Sequence, residues 1–335
     1  MKKYHIRIWI HIIMISLIVI VLGISAVKLY HWSTATAEIS LENINTEDFI
    51  SESEDFFATA DISKIENYQD DGILTVVMLG DASLLDYEDG SGIPYLVGQK
   101  VSAKQEINIY NCCFPGATMT SSKPGLDETN SDDSFSFYYT SLCILNDVYV
   151  ILNEGLENST IADQTFHTKV QTLEDIDFNK VDVIVLSYGA QDYLQNRYVI
   201  PEGDSEEQLF TQNPVIYTDA LRQGIEWIRL AYPQIQFIVM SPTFCYYEET
   251  NGTLSDCDVR RNQVNANMAD YMVCSKIAAV NENVTFLDNY WGIPINSDNA
   301  KEYLTESNIY PNARGRELIA EKLANVLTTK VYYSP

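Results

Sequence analysis

Residues 73–83 read ILTVVMLGDAS, and this stretch decides the fold. From Ile73 to Leu79 every residue is apolar or β-branched, with no alternation of polar and apolar positions. A strand buried on both faces reads this way, as the centre of a parallel sheet requires. Gly80 and Asp81 then break the run, and a small hydroxyl residue follows. The same signature recurs in INIYN at 107–111, VDVIVLS at 181–187, IQFIVMS at 235–241 and VTFLD at 284–288.

Helical patterns lie between these runs. In TDALRQGIEWIRLAYP (218–233), Leu221, Ile225 and Ile228 recur on one face, with Asp219 near the start and Pro233 just past the end. In NARGRELIAEKLANVL (312–327), Ile319, Leu323 and Val326 do the same. Strand and helix in repeated alternation predict an α/β domain of three layers, α/β/α, around a central parallel sheet. The segment 121–180 is less regular. SSKPGLDETNSDD (121–133) reads as a surface loop, and SFYYTSLCILNDVYVILNEG (136–155) fits either a helix followed by a strand or a longer helix.

Upstream, residues 8–27 are almost entirely apolar, about the 20 needed to span a bilayer as a helix. Lys2, Lys3 and Arg7 precede the run, which orients the N-terminus to the cytoplasm and the rest of the chain outside. The Ala35 and Ala37 of an A-x-A pattern lie far beyond the apolar run, so an uncleaved anchor is expected over 1–30. Residues 31–70 are acidic and weakly periodic and read as a solvated spacer, with Phe56 and Phe57 as a pair able to dock. The folded domain is then expected over 71–330.

Lys and Arg total 21 against 47 Asp and Glu, a formal net charge of −26, and such a surface repels nucleic acid. Six cysteines suit an exported protein without forming a dense disulfide framework. Cys245 and Cys257 flank a polar loop and are expected to pair, whereas Cys112 and Cys113 read as buried thiols. His167 is the only histidine in the folded region expected over 71–330, so no metal site is expected, and nothing in the sequence implies a cofactor.

In open parallel sheets, ligands gather at the carboxyl ends of the strands. Four short blocks fall there: GDAS (80–83), NCCFPGATM (111–119), SYGAQDY (187–193) and TESNIYPNARGR (305–316). Together and in this order they resemble the SGNH (GDSL-type) hydrolase family, over about Ile73 to Leu327. The text of 217–243 also looks like membrane-anchored, Gram-positive members. The resemblance implies a flavodoxin-like three-layer fold and an ester-hydrolysing site carrying a serine nucleophile, an oxyanion hole and an Asp-x-x-His pair.

Position by position, the frame is kept and the chemistry is lost. Gly80, Asp81, Gly189 and Asp192 match positions that brace the site. The nucleophile's place is held by Ala82. Gly116 matches the residue whose N–H helps hold an oxyanion, and Gln191 stands where an Asn amide would complete that hole, one methylene too long. The acid and base positions are Ser307 and Tyr310. Alanine has no hydroxyl to activate, and a phenol titrating near ~10 is a poor base at neutral pH.

Ser83 is the fallback nucleophile, yet one residue along a turn rotates a side chain by about 100°, so Ser83 is expected to face away from the pocket floor. Asp86, Glu88 and Asp89 read as a solvated loop and His167 as a surface histidine. The expectation is therefore a membrane-anchored extracytoplasmic domain that has lost catalysis. Gly116, Gln191 and Tyr310 would line a binding cleft, and the partner would be a cell-wall or capsular glycan or a membrane acyltransferase. The alternative is an esterase, O-acetyl transferase or deacetylase acting on surface carbohydrate with unorthodox residues.

Overall fold

The computed structural model describes residues 54–58, 71–126, 131–199 and 211–329. The anchor expected over 1–30 lies outside these residues, as does most of the spacer. No helix among the described residues is long and apolar enough to cross a membrane.

Strand β1 (Leu74–Gly80) runs into a single 3-10 turn at Ala82–Leu84, followed by helix α1 (Ile93–Ser102) and β2 (Ile107–Asn111). Three helices come next: α2 (Phe137–Asn146), α3 (Val150–Asn158) and α4 (Gln164–Asp175). Then follow β3 (Val183–Ser187), the short α5 (Ala190–Leu194), α6 (Tyr217–Ala231) and β4 (Gln236–Met240). A hairpin of β5 (Tyr246–Glu248) and β6 (Leu254–Asp256), α7 (Met268–Asn281), β7 (Thr285–Leu287) and α8 (Ala313–Thr329) complete the order.

The main sheet has the order β2-β1-β3-β4-β7, with every pairing parallel. From β1 to β2 the chain steps one way across the sheet, and from β3 through β4 to β7 it steps the other. Right-handed crossovers therefore place α1 on one face and α6 and α7 on the opposite face. Helix α8 packs on α1, and α2 packs on α6, so the three layers predicted from the sequence are present. The order reverses between β1 and β3, where Val77 pairs with Ile184, and this opens a crevice at the carboxyl edge.

Local chemistry explains the elements. All seven residues of β1 are buried, as are those of β3, because both strands are covered by helices on two faces. Leu221, Ile225 and Ile228 bury one stripe of α6. Gly224 lets that helix seat against α2, since a Cβ there would fall 2.2 Å from Phe137 Cε1. Strand β2 is less apolar than the reading of 107–111 implied. It is the sheet edge, and its residues alternate between half-buried and exposed.

The segment left open by the sequence forms two helices, α2 and α3, broken at 147–149. Asp147 adopts a left-handed conformation at φ 52° and closes α2 with its N–H on the Cys143 and Ile144 carbonyls. A short polar side chain tolerates that conformation, so the chain turns and restarts as α3. Phe56 joins the far edge of the sheet: its N–H donates to the Phe286 carbonyl at 3.0 Å and its carbonyl accepts from Phe286 N–H at 2.8 Å. Five residues of the acidic stretch thus lie on the domain. All six cysteines are buried thiols. Burial pushes Cys112 and Cys113 up to about 12. The Cys245 and Cys257 sulfurs lie 3.0 Å apart at the base of the β5–β6 hairpin.

Candidate functional site

At the end of β1 the chain passes within contact of β3. A Cβ on Gly80 would come 2.6 Å from the Ser187 carbonyl oxygen, so only glycine fits there. Gly189, at φ 118°, turns the chain after β3 in a region that favours glycine. Between these two turns sits Asp81. Its Oδ1 accepts from Ser83 N–H at 2.9 Å and its Oδ2 from Gln191 N–H at 3.3 Å. Burial pushes this carboxyl up to about 6, against the pull of those hydrogen bonds.

Asp192 braces the loop after β2 in the same way. Its carboxylate accepts from Met119 N–H at 2.9 Å and from the Thr120 hydroxyl at 3.3 Å. Burial raises it to about 7; Arg197 opposes the rise and the nearby Asp81 charge adds to it. The two acids at the framing positions hold loops in place.

Tyr310 arrives on the loop before α8, shaped by Asn312, whose Oδ1 accepts from Arg314 and Gly315 N–H at 2.9 and 3.2 Å. The Tyr310 hydroxyl donates to Gln191 Oε1 at 3.3 Å. Burial, with the Asp81 charge behind it, holds this phenol well above its ordinary range. It is therefore protonated near neutrality, a donor with no capacity to take a proton from a neighbour.

What remains of the crevice is a cavity of about 20 Å³, walled in part by Asp81, Ser83, Ser187, Asn289 and Tyr310. That volume suits a single water and excludes an acyl group or a sugar ring. Ser83 departs from the sequence expectation that it faces away. The 3-10 turn winds at about three residues per turn, and Asp81 pins the Ser83 N–H. The Ser83 hydroxyl lies on the cavity wall, 2.8 Å from the Ser187 hydroxyl.

The remaining matched residues are dispersed. Ala82 is half-buried and off the cavity wall. Ser307 is exposed, its hydroxyl 2.8 Å from that of Thr305. Gly116, at φ 89°, also lies off the wall, and its N–H makes no hydrogen bond among the described residues. Its carbonyl accepts from Gln195 Nε2 at 3.2 Å. His167 is exposed on α4. Asp86 is an exposed partner of Lys169, 2.6 Å away, as the solvated-loop reading requires. No group of His, Cys, Asp and Glu able to hold a metal occurs among the described residues.

Ser187, Ser241 and Asn289 were missed from sequence, although the signal was present. The runs at 181–187 and 235–241 both end on a serine at a carboxyl strand end, where a crevice residue belongs. All four sequence blocks therefore reach the carboxyl edge of one parallel sheet, around its switch point. The chain has the three-layer α/β/α fold around a parallel sheet that the resemblance implies.

Comparison with solved structures finds chains of similar fold. One superposes with a TM-score of 0.52 at 17% identity, over 76% of this chain and 95% of its own. Others include the carbohydrate acetylesterase Est24 from Sinorhizobium meliloti, at 9% identity and TM-score 0.43, over 76% of this chain and 98% of that one. A candidate GDSL-like lipase from Parabacteroides merdae matches at 15% identity and TM-score 0.40, over 76% and 96% of the two chains. No family model and no curated protein matches the sequence.

Proposed function

We propose that this is a catalytically silent SGNH-type domain, held outside a cell membrane by an uncleaved N-terminal helix, that acts by binding. Its partner would be a cell-wall or capsular glycan, or a membrane acyltransferase. One observation carries the reading: the residue in the base position, Tyr310, spends its hydroxyl on Gln191 and walls the small cavity that remains of the crevice. Hydrolysis by the serine route needs a hydroxyl, a base to take its proton and a carboxylate to orient that base. None of the three matched positions supplies its part.

The location rests on the apolar run at 8–27 and the cations before it. Turnover of a short-chain aryl acetate by the purified ectodomain tests the silent reading. The expected result is a rate equal to the buffer blank, and robust turnover abolished by Ser83→Ala would overturn it.

A second reading, hydrolysis or acyl transfer by Ser83, is favoured by the position of that hydroxyl on the cavity wall. It requires Asp81 or a tyrosine to act as base. Asp81 also hydrogen-bonds the Ser83 side chain, but its carboxylate is already engaged by two N–H groups, and Tyr188 and Tyr310 are both held protonated by burial.

A further inference from the structure

We infer that the groove between α1 and the edge strand β2 is a binding site for a neutral oligosaccharide, with Tyr95 as its platform. The inference rests on the proposal that the domain works by binding, and it places the ligand away from the closed crevice.

The groove measures about 450 Å³, within the range of small-molecule sites, and includes Tyr95, Gln99, Ser102, Ile109, Asn111 and Asp86 in its walls. Its aromatic wall is fixed before any ligand arrives. Gly90, at φ 73°, lies against the Tyr95 ring, so that a Cβ there would fall 2.8 Å from Cε1. One helical turn on, Gln99 Nε2 donates to the Tyr95 hydroxyl at 2.8 Å. The ring so held is still 54% exposed, an arrangement that suits contact with a partner that is apolar on one side.

Gly98 gives an independent argument. It sits inside α1, where glycine costs about 1 kcal/mol relative to alanine. Packing does not demand it, because an added Cβ would meet only Ile109 Cδ1, at an ordinary 3.5 Å. The missing side chain keeps the floor of the groove open.

The polar groups point to the ligand's chemistry. Asp86 receives one bond on each oxygen, from Asn111 Nδ2 at 2.9 Å and Lys169 Nζ at 2.6 Å, and its side chain is 58% exposed. A carboxylate with spare lone pairs can accept further donors. Gln99 Oε1 accepts nothing among the described residues, and the Ser102 hydroxyl, which donates to the Gln99 carbonyl at 3.1 Å, is open as an acceptor. The donors of Asn111 are spent on Leu84 O and Asp86. The groove thus presents free acceptors on Asp86, Gln99 and Ser102 with the Tyr95 O–H as a donor beside them, and its one carboxylate is matched by Lys169. A pyranose chain offers hydroxyl donors along its edges and a face of C–H groups for an aromatic ring, without charge. An anionic ligand is disfavoured by the net charge of −26.

Titration of the described domain with cellotriose, chitotriose, xylotriose and maltotriose, followed by NMR or calorimetry, tests the site. At least one should bind, and Tyr95→Ala, whose exposed position leaves the fold intact by circular dichroism, should weaken it at least tenfold. Gln99→Ala should weaken it several-fold, and Leu230→Ala, at an exposed position on α6, should leave it unchanged. Absence of binding by all four sugars, or binding insensitive to Tyr95→Ala, overturns the inference. Aryl acetate turnover by the same samples reports on the silent reading alone, so the two can fail separately.

Discussion

Two buried carboxylates brace the loops at the carboxyl edge of the sheet. Asp81 and Asp192 are raised from an ordinary 3.8 to about 6 and about 7. The folded chain therefore holds protons that the unfolded chain releases, and the stability this confers, complete below about pH 4, is lost as pH rises through about 7. Asp132 and Asp163, which sit below their ordinary range, act only at more acidic pH. Denaturant melts across pH 4 to 7 should show falling stability, and Asp81→Asn should flatten the fall. Asp192→Ala should cost about 3 kcal/mol or more, because the Met119 and Thr120 N–H groups lose a buried acceptor. Asp192→Asn, which keeps one acceptor, should cost less. At this scale the sequence was legible wherever backbone geometry demands a residue: Gly80, Gly189 and the two acids all stand where the blocks placed them. Side-chain direction was not legible. Ser83 turned toward the cavity because a 3-10 turn and an Asp81 hydrogen bond, neither written in the residue types, set its rotation.

Element contacts decide how the layers stay in register. Gly224 admits Phe137 at the α2–α6 crossing, so Gly224→Ala should destabilise the domain by about 1–3 kcal/mol through overpacking, read as a lower Tm. The β5–β6 hairpin is tied to the Tyr310 loop through Tyr246 N–H and the Asn308 carbonyl at 2.8 Å. Under oxidising conditions its flanking Cys245 and Cys257 should form a disulfide. Alkylation only after reduction would show the bond, and replacing both by alanine should then cost about 3 kcal/mol for a loop of 12 residues. Helix α6 and the central strands were readable because burial on a fixed period writes itself into the residue types. The break between α2 and α3 was not, since it depends on Asp147 accepting a left-handed backbone inside an otherwise continuous apolar pattern.

For the whole molecule, the architecture is the part that the pattern of the sequence carries. The alternating strands and helices of a three-layer domain follow from hydrophobic pattern and turn chemistry, which is why that much of the fold could be read in advance. The groove beside β2 could not, because it arises from an edge strand and a helix glycine that look unremarkable apart. The central claim is that no nucleophile in the crevice is activated. Incubation of the intact ectodomain with a fluorophosphonate, read by mass, tests it most directly. The account predicts an unmodified chain, and an adduct mapping to Ser83 would contradict it.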